Sequence, residues 1–344
     1  MAMPNLLVET SVDIRLSDNL LCHAQIVYGV GLEVARAAQH RARFGVEPDS
    51  EVAQAIARSP LATDAAAALV VPRLLVLACD TPTLDGLRRA LTRPRLPVLA
   101  GEVVARVGRA VLRLRPDALA LMWRACEQAY ESHYRSYWAP RESDLQRLAR
   151  EADDRLSYAE IPHKLAHLTG REPPHADIEV YLLDSEALLS YADGGERVCI
   201  STAMLSRFER FAYVFAHECA RIYLYNPPWW EVEPCASACQ GLAGELIDAV
   251  ESCAAQYLAA TLALGYGPDP GFWVVHPQVE AAIARRWPAF VAAPEKGIDL
   301  LLERVLAELR GADPRAPAVH PLRLSVTCDE GGFPVHCTVS DRRF

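Results

Sequence analysis

The residues best able to do chemistry stand where the chain is least polar. The run Ala212-Tyr213-Val214-Phe215-Ala216-His217-Glu218-Cys219-Ala220-Arg221-Ile222-Tyr223 sets an imidazole, a carboxylate and a guanidinium in otherwise apolar text. Burying such groups is costly unless they are paired or bound to something. An imidazole can hold a metal ion or move a proton, and a carboxylate beside it can serve as general base. On a helix Arg221 lies three residues beyond Glu218, close enough to neutralise it. The plain alternative is a core histidine bonded to a backbone carbonyl, next to an ordinary Glu–Arg ion pair.

A second acidic residue belongs with these. The later segment from about Leu242 to Leu264 has helical spacing, with Leu246, Ile247, Val250, Ala254, Tyr257 and Leu258 on one face. At about 100° per residue Glu251 falls at the border of that face, whereas Glu245 points away from it.

From Ile178 to Leu264 the chain resembles the zincin metallopeptidases, specifically their gluzincin branch. His217-Glu218 resembles the start of their H-E-x-x-H helix, in which two histidines four apart bind zinc and the glutamate polarises the attacking water. The resemblance implies His217 and Glu251 as metal ligands and Glu218 as general base. It implies Tyr223 or Tyr225 as oxyanion stabiliser, and the strand Val198 to Ser201 as an edge that pairs with an extended substrate. The departure is Arg221, which stands where the second histidine is expected. A guanidinium stays charged and cannot ligate a metal. Two ligands remain where catalytic zinc takes three from the protein. Zinc, the cofactor the family implies, is therefore expected to bind weakly or not at all, with Arg221 forming an ion pair in its place.

Three readings fit these residues. One is a divergent peptidase-like hydrolase or peptide-modifying enzyme. Another is a metal-free pseudoenzyme that binds a peptide or protein partner. The third is a helical interaction protein in which His217 is purely structural.

The elements that must position these groups give a mainly α fold with a small β-sheet. A helical N-terminal region, 1–140, is expected from Ala, Leu, Val and Arg at helical spacing, with Asp18 as an N-cap and breaks at Gly45 to Pro48, Ser59-Pro60, Thr81-Pro82 and Arg93-Pro94. Arg115-Pro116-Asp117 opens a helix through Trp123, Cys126, Tyr130, Tyr134 and Trp138. A zincin-like region, 141–311, begins with helical text broken at Pro162 and ending at Thr169-Gly170. Ile178 to Leu182 then alternates as a half-buried strand would, and Arg197 to Ser201 reads as a second strand. The helix Phe208 to Tyr225 is apolar nearly all round. Further helices are expected at about His276 to Trp287 and Gly297 to Arg310. The last region, 312–344, is a Pro-rich connector and a β-hairpin.

Composition narrows the partners. A net charge of −9 disfavours nucleic acid, whose phosphates call for clustered Lys and Arg. No apolar run has the length of a membrane span, and Met1 to Asn5 does not start like a signal peptide, so a cytoplasmic protein is expected. The ten cysteines lack the dense spacing of a disulfide scaffold and are expected to be reduced. His163 and His167, four apart, carry little weight as a metal pair at a helix end, where histidine favours the dipole. Cys235 and Cys239 have no second pair to complete a zinc site. Cys328 and Cys337 flank a turn without being directly opposed.

Overall fold

The computed structural model describes residues 8–30, 34–63, 83–92, 116–185, 190–192, 196–242, 244–263, 276–311, 323–328 and 334–340. The protein is mainly α with a small β-sheet. Residues 8–159 with 175–211 form one compact unit, and 160–174 with 212–344 belong to the other. This division interleaves along the chain, unlike the consecutive regions 1–140, 141–311 and 312–344. The expected breaks at Thr81-Pro82 and Arg93-Pro94 and the Pro-rich connector, Pro314 to Pro321, lie outside the described residues.

The first unit is built around a four-stranded sheet in the order β1 (Glu9–Asp13), β2 (Asp177–Leu183), β4 (Arg197–Ser201), β3 (Ser190–Ala192). β1 and β4 both run parallel to β2, while β3 is antiparallel to β4. From Val180 to Leu183 every residue of β2 is buried, so the expected half-buried strand is covered on both faces, as strands inside parallel sheets are. Asp153 Oδ1 accepts from the Val12 N–H at 3.0 Å on β1.

α1 (Leu16–Val27) lays Cys22 and Ile26 against Tyr181, Leu183 and Cys199. Its Asn19 amide donates to Leu182 O, and its carbonyl accepts from Asp184 N, both deep in the core. Asp18 is not the N-cap: the helix starts at Leu16 after Arg15, and Asp18 is buried within its first turn. The burial of Ser17, Asp18 and Asn19 together overrode the local capping preference.

α2 (Val34–Phe44) ends at Gly45, whose φ of 62° is left-handed, and Asp49 caps α3 (Ser50–Ala57) by accepting from Glu51 N and Val52 N. After α4 (Pro60–Thr63) and α5 (Leu84–Thr92) comes α6 (Pro116–Ala129). A π turn over Tyr130–Tyr134 carries α6 into α7 (Arg135–Trp138), and Met122, Cys126, Tyr134 and Trp138 are buried along this path. α8 (Glu142–Ala159) completes the unit.

The second unit begins with α9 (Ile161–Thr169), separated from α8 by Glu160 at φ 51°, with Pro162 in its first turn where a missing N–H is harmless. His163 and His167 are both exposed on it. α10 (Phe208–Tyr225) spans the range read from the sequence; its residues from Ala212 onward belong to this unit. α11 (Cys235–Cys239), α12 (Gly244–Ala263), α13 (Pro277–Val291) and α14 (Ile298–Gly311) follow. The core contains Phe215, Tyr223, Trp229, Val250 and Leu258.

Arg171 binds the unit together. Its guanidinium donates to the carbonyls of Tyr223, Leu224 and Pro227 at the end of α10, and to Asp299 at 2.6 Å. In the terminal hairpin, Arg323–Cys328 pairs with Pro334–Ser340, with Val326 facing Cys337 and Cys328 facing Pro334. Those two cysteines are therefore not opposed. Cys22, Cys126, Cys199, Cys219, Cys235, Cys239 and Cys253 are in no disulfide. No helix of the described residues is long and apolar enough to cross a membrane.

Candidate functional site

α10 and α12 position the candidate groups. α10 is buried on most sides, as its apolar sequence requires, and beyond Glu209 and Arg210 in its first turn its charged residues are Glu218 and Arg221, next to His217. The side chains of Glu218 and Glu251 are 4% and 3% exposed, a placement few carboxylates tolerate without partners. Arg221 supplies the partner for both. Its Nη1 lies 3.5 Å from Glu218 Oε2 on the same helix, and its Nε lies 3.3 Å from Glu251 Oε1 on α12. His217 Nδ1 is 3.4 Å from Glu218 Oε1.

The electrostatics follow from one cation serving two carboxylates. Burial disfavours the Arg221 charge, but Glu218 and Glu251 outweigh that and hold the guanidinium firmly protonated. For Glu251 the balance goes the other way. Burial pushes its carboxyl up to about 7, against the opposing pull of Arg221 and of hydrogen bonds from Tyr225 and Arg221. Burial, together with the nearby Glu251 charge, also raises the Tyr225 phenol.

No protein-family model, curated protein or solved structure matches this chain. The functional reading therefore rests on the geometry and on the motif.

The structure brings Glu218, Arg221 and Glu251 into one ionic group, with His217 beside Glu218. Tyr223 is not part of it. Its hydroxyl donates to the Pro162 carbonyl at 2.7 Å in the core, because Tyr223 lies two residues beyond Arg221 and so across the helix. Tyr225, one turn beyond Arg221, is the tyrosine that reaches Glu251. The strand Arg197–Ser201 is not an edge: β2 and β3 pair with it on its two sides, which leaves no free side for an extended substrate.

The residues do not fit a catalytic zinc ion. Arg221 bridges the two carboxylates and has no lone pair to offer a metal. Among the described residues no group of three His, Cys, Asp or Glu is arranged to hold a metal ion. The arrangement can instead store charge, with one permanent cation and one carboxyl poised to exchange a proton near neutrality.

Sequence reasoning missed two further polar groups, both in the first unit. Asp184 is buried beneath Arg43 at 3.4 Å, Arg141 at 3.3 Å and the Tyr137 hydroxyl at 2.5 Å. His23, His40 and His133 meet by their rings. Their spacings carry no shared period, so no local signal marks either group.

Proposed function

We propose that this chain is a zincin-like protein in which the Arg221 ion bridge takes the place of the metal, and that it binds a peptide or protein partner without hydrolysing it. The observation that carries this reading is the bridge from Glu218 through Arg221 to Glu251. A general base at Glu218 would need its carboxylate turned to a water polarised by a metal. Here that carboxylate faces a guanidinium and an imidazole. The class of partner comes from the zincin resemblance, whose members take extended peptides.

The test is metal content together with melting curves, with and without zinc, for wild type and for Arg221→His. The substitution restores two histidines four apart on α10, next to Glu251. Wild type should contain no stoichiometric zinc when purified without added metal, and its melting should ignore zinc. Arg221→His should gain about 2.7 kcal/mol at a zinc concentration about a hundred times its Kd. Stoichiometric zinc in wild type, or cleavage of a mixed peptide library by it, would overturn the reading and restore the hydrolase.

A further inference from the structure

Three histidines far apart in sequence form a chain of ring-to-ring hydrogen bonds inside the first unit. His23 Nε2 on α1 is 2.7 Å from His133 Nε2 in the π turn, and His23 Nδ1 is 3.0 Å from His40 Nε2 on α2. Ser132 Oγ continues the chain at 2.7 Å from His133 Nδ1. His23 and His40 are buried, and the rings of Phe44 and Tyr134 stand 4.4 and 4.6 Å from that of His23. The two nitrogens of His23 serve partners on opposite sides of its ring, so the three do not converge on a metal ion.

A neutral imidazole has one donor and one acceptor nitrogen, so each link needs an N–H facing a bare nitrogen. Uncharged, the chain satisfies both links. One added proton can still be placed without conflict; a second sets N–H against N–H across a short contact. The surroundings offer little relief. Arg43 on α2 repels charge on His23 and His40, and the Tyr134 and Tyr137 hydroxyls are uncharged in acid. Asp184 favours a proton on His40, but its oxygens already hold Arg43, Arg141 and Tyr137. Cys22, on α1, is a buried thiol, and Asp18, also on α1, is the remaining group there that titrates in acid.

We propose that this histidine chain is an acid-sensitive latch, which holds α1, α2 and the π turn together while it carries at most one added proton and releases α1 and α2 when more arrive. Burial keeps all three rings below the ordinary imidazole range, with His40 at about 4 and His23 at about 2. Opened, the three rings take up three protons in acid, so opening absorbs at least two. Asp18 releases one on exposure, because its buried carboxyl is held at about 7.

Hydrogen exchange of the α1 and α2 amides, corrected for intrinsic rates, tests this between pH 6 and 4.5. Opening should rise at least about tenfold per pH unit in wild type and at least about a hundredfold in Asp18→Asn, where the opposing proton is gone. The β2 and β4 amides should keep their protection. Should Asp18→Asn fail to fold, ¹⁵N shifts of wild type still decide: neutral imidazoles at all three positions at pH 6.5 are expected. Flat exchange of α1 and α2 over this range, or two adjacent imidazolium rings within intact helices, would overturn the latch.

Discussion

Two buried ionic clusters, one in each unit, have opposite stoichiometry. In the second, one guanidinium serves two carboxylates, Glu218 and Glu251, and Glu251 is left near the point of protonation. In the first, two guanidinia and a phenol serve the one carboxylate of Asp184. Asp184 is what a purely structural buried acid looks like, with its charge more than matched. The α10 group is under-compensated, and a protein keeps such a group at a cost in stability. Regions that break local rules in this way are where function concentrates. The difference supports assigning the candidate site to α10 and a scaffolding role to Asp184.

The largest effect is expected at Arg221. Arg221→Ala leaves two buried carboxylates without their cation and should cost about 3 kcal/mol, the low end for a broken buried pair because Arg221 is partly exposed. The sign with pH follows from Glu251. Its folded value of about 7 is above its unfolded one, so its ionisation weakens the fold progressively as pH rises toward 7. The loss in Arg221→Ala should therefore be greater at pH 8 than at pH 5.5 in urea titrations. Equal stability of variant and wild type at both pH values would make Arg221 a bystander.

Asp184→Asn sharpens the other side. It removes a charged acceptor but leaves its two arginines partly exposed to water, and should cost about 1.5–3 kcal/mol. The Tyr137 phenol, raised to about 12 by burial and by its bond to Asp184, should titrate lower in the variant by ultraviolet absorbance.

The smallest effect is a gain. Asp18, on α1, has a buried carboxylate with no hydrogen-bond partner among the described residues, and burial pushes it to about 7 despite Arg15 and Arg197. Its raised value means that stability present below pH 4 is lost as pH rises through 7. Asp18→Asn should then be stabilised by about 1 kcal/mol at pH 8, the gain fading toward pH 4 in chemical denaturation. A loss at pH 8 would reveal a hydrogen bond to the ionised form.

The helices were the most legible part of the sequence. The Phe208–Tyr225 range follows from a run that is apolar nearly all round and is closed by Asn226-Pro227, and Pro162 and Gly170 mark the ends of α9 by their backbone restrictions alone. The meeting of Arg221 with Glu218 is a matter of three-residue spacing, and with Glu251 of helical phase. Less could be read wherever burial decides. Asp18 has the residue type of a cap and the location of a core side chain. Arg197–Ser201 reads as a strand, but its neighbours on both sides are set by long-range pairing. The histidine chain and the Asp184 cluster unite residues more than a hundred positions apart, and no local pattern records such a meeting.

Arg171 has a consequence for the order of folding. Its guanidinium gathers the last carbonyls of α10, but its carboxylate partner, Asp299, lies 128 residues further along. Contacts of such sequence separation form late, because the loop between them must close first. During synthesis, then, Tyr223 can meet Pro162 as soon as α10 forms, whereas the Arg171 guanidinium has no carboxylate beside it until α14 has emerged.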